Sequence, residues 1–144
     1  MPNPNGKARI LVVDDDDGIL QVSRVSLKRV KFRDQRLQIL LASSSKQAVE
    51  MLSNENGVGV MLIDGEMETK TAGLDTCEAV RKQLGNQDLR IFLRTGKVDM
   101  DAQEVAAKED LDLEGHIPKG DTSKEQLVAA VLKGLEAYYA RVDA

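Results

Sequence analysis

Apolar positions along this chain come in blocks of two kinds. The first kind is a short run with no alternation: residues 9–13 (RILVV), 37–42 (LQILLA), 58–63 (VGVMLI), 89–93 (LRIFL) and the brief 115–117. Such runs are too short for helices, and being apolar on both faces they read as strands of a buried parallel sheet. The second kind recurs every three or four residues. Ile19, Leu20, Leu27 and Val30 mark a helix over 17–30, and Ala48, Val49 and Leu52 a short second one. Leu74, Cys77, Val80 and Leu84 mark a third, and Leu127, Val128, Val131, Leu132 and Leu135 a last one. The segment 101–112 has only Val105 and Ala106 as a thin apolar stripe, and is expected to be a helix weakly held to the core.

Polar punctuation agrees with this division. Asp16 or Asp17, the serines at 43–45 and Ser123 stand where helices begin and can accept from their free amides. Residues 54–57, Gly85-Asn86 and Pro118-Lys119-Gly120 break or turn the chain, and 68–72 reads as a polar loop. Five strand–helix units in strict alternation predict right-handed crossovers and a parallel sheet covered on both sides. Residues 1–7 are expected to be a disordered lead and 8–142 a single domain.

The candidate chemistry lies where the strand runs stop. Asp14 and Asp15 follow the first, Asp64 ends the third, Thr95 follows the fourth and Lys119 the fifth. In an open parallel sheet these positions share the carboxyl edge, where ligands bind. Three carboxylates packed together repel unless a cation lies among them. Hard oxygen ligands with room for water suit Mg²⁺, with Mn²⁺ as an alternative, and a metal completed by phosphate oxygens. One carboxylate could then act as nucleophile toward a phosphoryl group, with Lys119 and Thr95 neutralising its oxygens.

Composition narrows the field. The 144 residues carry 24 acids and 20 bases, a net charge of −4, which argues against a nucleic-acid surface. No apolar run approaches the ~20 residues of a membrane span, and the first residues, MPNPNGKAR, lack the apolar core of a signal peptide. One cysteine and one histidine cannot make a zinc cluster, and Cys77 on a helix stripe reads as a core residue in a cytoplasmic protein.

ILVVDDDDGIL, VMLIDGEM, FLRTG and GHIPKG together resemble the receiver domain of two-component response regulators, in order and spacing, over about residues 8–140. The resemblance implies a flavodoxin-like three-layer sandwich: five parallel strands in the order 2-1-3-4-5 with five helices. It implies a phosphoacceptor at Asp64 and Mg²⁺ held by Asp14, Asp15, Asp64 and the backbone carbonyl of Glu66, with Asp15 direct and Asp14 mainly through water. Thr95 and Lys119 match the phosphate-binding hydroxyl and ammonium, and His116 the aromatic switch residue that moves with Thr95. Glu66 and Lys97, two residues past Asp64 and Thr95, are placed at the rim where an attacking water enters.

By the same resemblance the donor is a sensor histidine kinase or a phosphotransfer protein. The output face is helix 4, strand 5 and helix 5, through which a homodimer is possible. The chain would catalyse only its own phosphorylation and dephosphorylation. METKTAGLDTCEAVR and LRTGK look closest to receivers that lead multidomain regulators with cyclic-di-GMP outputs. Three departures concern loops: Glu68 where proline is usual, a loop after Met67 one residue longer, and Gly120 after Lys119 where a proline is common.

Two alternatives use similar parts. A haloacid-dehalogenase-type phosphatase has the same groups, but its nucleophile leads the chain and its acid pair comes last. A binding module, either a flavodoxin or an unphosphorylated receiver-like scaffold, would lack some of these groups; four consecutive aspartates after the first strand would also repel an FMN phosphate.

Overall fold

In a computed structural model, which describes residues 6–96, 101–120 and 122–143, the expected alternation is present. In chain order the elements are β1 (Arg9–Val13), α1 (Asp17–Leu27), β2 (Lys31–Phe32), β3 (Gln35–Arg36), β4 (Gln38–Ala42) and α2 (Ser45–Asn54). There follow β5 (Val58–Asp64), α3 (Ala72–Glu78) continuing into a π-helical turn (Ala79–Gln83), β6 (Arg90–Thr95), α4 (Ala102–Asp110), β7 (Gly115–Pro118) and α5 (Lys124–Val142). The main sheet runs β4-β1-β5-β6-β7, every pair parallel. This is the expected 2-1-3-4-5 order once β2 and β3, which form a separate hairpin, are left out of the count.

All seven residues of β5 are buried, as a central strand covered on both faces requires. The period of two sorts the strand residues into two cores. Ile10, Val12, Val60, Leu62 and Phe92 pack against Leu20 and Leu27 of α1 and Leu127, Val131 and Leu135 of α5. Leu11, Val13, Met61, Ile63, Ile91 and Leu93 pack against Ala48 and Leu52 of α2 and Cys77 and Val80 of α3. Cys77 is fully buried and its thiol is pushed up to about 12 by desolvation, so it is the inert core residue expected.

The structure corrects several boundaries. α1 stops at Leu27, not residue 30, and Val30 instead accepts from the Leu37 amide across a hairpin the apolar pattern did not predict. Arg33 and Asp34 turn that hairpin with φ of 54° and 65°, a left-handed pair without the Asn-Gly or Asp-Gly that normally announces it. What holds it is tertiary: Phe32 stacks on Tyr139 of α5 at 5.5 Å, and the Arg33 guanidinium lies 4.3 Å from the Tyr139 ring centre. α3 begins at Ala72, inside the expected loop, while β6 starts one residue late and runs on through Thr95. α4 is a helix as expected, and its one buried side chain is a carboxylate, Glu104, while Val105 is exposed.

Candidate functional site

The site is built from the ends of four strands. Asp14 follows β1 and is buried; its Oδ1 accepts from the Asp16 amide at 2.9 Å. Asp16, not Asp17, caps α1, accepting from the Gly18 and Ile19 amides. One residue of the acid block thus faces inward, one starts the helix, and Asp15 between them stays exposed. Asp64 closes β5, with Oδ1 accepting from the Glu66 amide at 3.2 Å.

Lys119 reaches in from the end of β7. Its Nζ lies 3.0 Å from Asp14 Oδ2 and 2.9 Å from Asp64 Oδ2. The approach to Asp14 is an ion pair off hydrogen-bond alignment, since that oxygen has no aligned donor among the described residues. Burial pushes the Asp64 carboxyl up and the Asp14 charge adds to this, while Lys119 and the Glu66 amide pull it down; the net shift is upward. Burial alone lowers Lys119, but its pairing with Asp64 and Asp14 outweighs that and leaves the ammonium raised.

Asp14, Asp15 and Asp64 each offer a carboxylate oxygen, and these oxygens lie within 4.8 Å of one another. A hard-oxygen donor set this close, with one exposed member open to water, fits Mg²⁺ rather than zinc or a soft metal. Thr95 ends β6, buried, and its carbonyl accepts from the Lys119 amide at 2.8 Å, tying the two together at the mouth. A cleft of about 290 Å³ opens there, lined by Asp64, Glu66, Lys70, Thr95, Glu104 and Lys119. Glu66 is exposed at its rim; Lys97 lies outside the described residues. His116 is half-buried on β7 as the register partner of Leu93, which places it on the same sheet face as Thr95, two residues beyond.

Residues 10–132 match the family model described as the response regulator receiver domain. The chain belongs to this family. The receiver has the fold of a receiver domain from Methanospirillum hungatei JF-1, at 18% identity and a TM-score of 0.77, covering 94% of this chain and 98% of that one. It also matches the N-terminal domain of a response regulator/sensory box/GGDEF protein from Carboxydothermus hydrogenoformans, at 21% identity and a TM-score of 0.76, over 93% and 98% of the two chains. Among curated proteins it is 29% identical over 129 residues to a 3'3'-cGAMP-specific phosphodiesterase 2 of Vibrio cholerae serotype O1. Those residues are 90% of this receiver and 24% of that relative, so the chain spans about a quarter of its length. A receiver domain is a phosphoacceptor of two-component signalling, binds Mg²⁺ in an acidic site and interacts with histidine kinases or phosphotransfer proteins; the phosphatase and scaffold readings are not favoured. No helix among the described residues is long and apolar enough to cross a membrane.

Three residues at the site were not singled out by the strand-end pattern. Glu68 accepts from the Ser45 amide at 2.9 Å and its hydroxyl at 3.1 Å, so the carboxylate that replaces the usual proline fastens the β5–α3 loop to the start of α2. Glu104 joins Asp101 in a capping box that puts a buried carboxyl in the cleft wall. Arg94, beside Thr95, is buried, donates from Nη1 to Ser23 Oγ of α1 at 2.9 Å, and is pushed down by burial but held up by the Asp14 and Asp64 charges. The only sequence signal for Arg94 was a basic residue directly between an apolar strand run and Thr95.

Proposed function

We propose that Asp64 is the residue phosphorylated in this receiver, with phosphoryl transfer from a histidine kinase or phosphotransfer protein. The observation that carries the reading is the placement of Lys119, within 3.0 Å of both Asp14 and Asp64, beside the exposed Asp15. Asp64 Oδ attacks phosphorus and the bond to the donor's leaving atom breaks, giving an acyl phosphate without net oxidation. Lys119 and Thr95, which line the same cleft as Asp64, bind the new phosphoryl oxygens in this reading, and burial keeps bulk water from competing. A Mg²⁺ held by Asp14, Asp15, Asp64 and the Glu66 carbonyl supplies charge neutralisation of those oxygens.

The output reading rests on the α4 side. Thr95 and His116 share the sheet face under α4, and that helix buries only Glu104. Thr95 drawn toward the phosphoryl group vacates space that His116 fills, and the α4–β7–α5 face changes its partner or pairs with a second copy. Glu66 belongs to the rim that a hydrolytic water crosses. The single, buried thiol accords with a reducing cytoplasm. A receiver making up a quarter of a cyclic-dinucleotide phosphodiesterase relative supports a role as the regulatory module of a multidomain regulator.

The test is intact mass after incubation with acetyl phosphate. One phosphoryl group is expected in Mg²⁺ or Mn²⁺, none in EDTA, and none on Asp64→Asn. Phosphorylation persisting in Asp64→Asn overturns the assignment.

A further inference from the structure

Resting on that reading of the acid site, we infer that Arg94 is a built-in counter-cation of the carboxylate cluster, which sets how tightly the site takes a divalent metal and how well it holds a phosphoryl group. The placement follows from strand geometry. Asp64 and Arg94 are register partners on the neighbouring parallel strands β5 and β6, so both side chains leave the sheet on one face, about 4.8 Å apart at the backbone. That face is the one covered by α1 and α5, since Leu62 and Phe92, two residues back on each strand, pack there.

The guanidinium is tethered but not saturated. Nη1 donates to Ser23 Oγ, itself buried on α1, at 2.9 Å. The buried Nε has no hydrogen-bond partner among the described residues. No ion pair to Arg94 is formed at contact distance among them, so its charge acts on Asp14 and Asp64 through the low-dielectric space beneath α1. A buried arginine stays protonated, so the charge is permanent.

Counting charge shows what this does. Asp14, Asp15 and Asp64 give three negative charges against Lys119 and Arg94. The cluster therefore carries one net negative charge with Arg94 and two without it. With a divalent metal bound and a dianionic phosphoryl group on Asp64, the same groups sum to zero; without Arg94 they sum to one negative charge. Arg94 thus weakens binding of the bare metal and favours the phosphorylated, metal-bound state, in which no charge is left over.

The experiment uses the full chain in low salt. Arg94→Met keeps a long unbranched side chain without charge, and Arg94→Lys keeps the charge. Ser23→Ala removes only the tether. First, in EDTA, melting temperatures are measured for wild type, Arg94→Met, Asp64→Asn and the double variant. Arg94→Met is expected to cost several degrees more in wild type than in Asp64→Asn, because the carboxylate it faces is then neutral. Equal losses in both backgrounds overturn the inference. Second, Mg²⁺ is titrated by calorimetry. Arg94→Met is expected to bind about tenfold more tightly than wild type, with Arg94→Lys close to wild type and Ser23→Ala changed little. Unchanged or weaker binding in a folded Arg94→Met, or the same change in Ser23→Ala, overturns it too. Absence of Mg²⁺ binding by wild type refutes the metal reading of the site, while the EDTA cycle still decides the role of Arg94. If Arg94→Met does not fold, Arg94→Gln, which retains a donor for Ser23, takes its place in both measurements.

Discussion

Two buried arginines on one strand show how differently the two edges of this sheet are built. Arg90 opens β6 and every nitrogen of its guanidinium donates, to Asp112 at 2.9 Å, Glu114 at 3.1 Å and the carbonyls of Gln87 and Asp88. Arg94, one residue from the other end, has a single hydrogen bond and an idle Nε among the described residues. Beside Arg90 stands Arg81, whose side chain, carried on the π-helical turn, donates to the carbonyls of Leu111, Asn86 and Asp112. Beside β6, the amino edge thus spends Arg81 and Arg90 on closing the backbone after α4. The carboxyl edge sets its cations among carboxylates that repel one another, Lys119 in contact with Asp14 and Asp64 and Arg94 acting on them from a distance.

The comparison is broken most severely at the amino edge. Arg81→Met strips three carbonyls of their donor and is expected to cost about 3 kcal/mol of unfolding free energy, read by urea denaturation, with Mg²⁺ affinity unchanged. A smaller effect on stability comes from Gly73→Ala at the other edge. A Cβ there would press on the Asp64 carbonyl and lie 2.7 Å from the Gly65 Cα, so about 1–3 kcal/mol is expected, together with weaker phosphorylation as Asp64 is displaced. If that variant is destabilised but phosphorylated at the wild-type rate, the α3 start does not position Asp64.

Asp64→Asn works in the opposite direction. Because burial raises the Asp64 carboxyl above its ordinary value, the folded apo protein holds the proton more tightly than the unfolded chain. Stability from this group is therefore present below the unfolded value and is lost as pH rises through the folded one. In EDTA near pH 7, Asp64→Asn is expected to melt a few degrees above wild type, the gap narrowing as pH falls toward 4. A gap that stays constant or widens on acidification contradicts this origin. The smallest effect belongs to Glu68→Ala, which removes a carboxylate from the start of α2. Its carboxyl lies below the ordinary value through the bond from the Ser45 amide, so its contribution is present above the unfolded value and lost as pH falls. Less than about 1 kcal/mol is expected, visible at pH 7 and absent near pH 3 in thermal melts.

How much of this was legible in the residues varies by element. The unbroken apolar run of β5 and the charge that ends it left little freedom: a strand buried on both faces must put Asp64 at the carboxyl edge. The same logic held for Asp14 after β1 and Lys119 after β7, because a parallel sheet aligns strand ends whatever the loops do. Loop 68–72 was harder, since helix initiation at Ala72 depends on Gly73 fitting under the Asp64 carbonyl, a contact between residues nine apart. The β2–β3 hairpin had no local signature at all. Its left-handed Arg33-Asp34 turn is held by Tyr139 and Asp143, more than a hundred residues away.

The sequence by itself determined the order of the five main strands and their helices and the set of groups gathered at one edge, since each follows from local periodicity and the geometry of parallel strands. Only the tertiary structure decided what each charge near that edge faces. Asp14, Asp15 and Asp16 are chemically identical neighbours, yet one turns inward to Lys119, one stays in water and one caps α1. Arg90 and Arg94 share a strand and a face, yet one pairs with the carboxylates of the α4–β7 connection and the other is tethered to α1. Periodicity specifies the direction in which a side chain leaves the backbone; its partners are supplied by elements distant in sequence, and those partners set the strength of its charge.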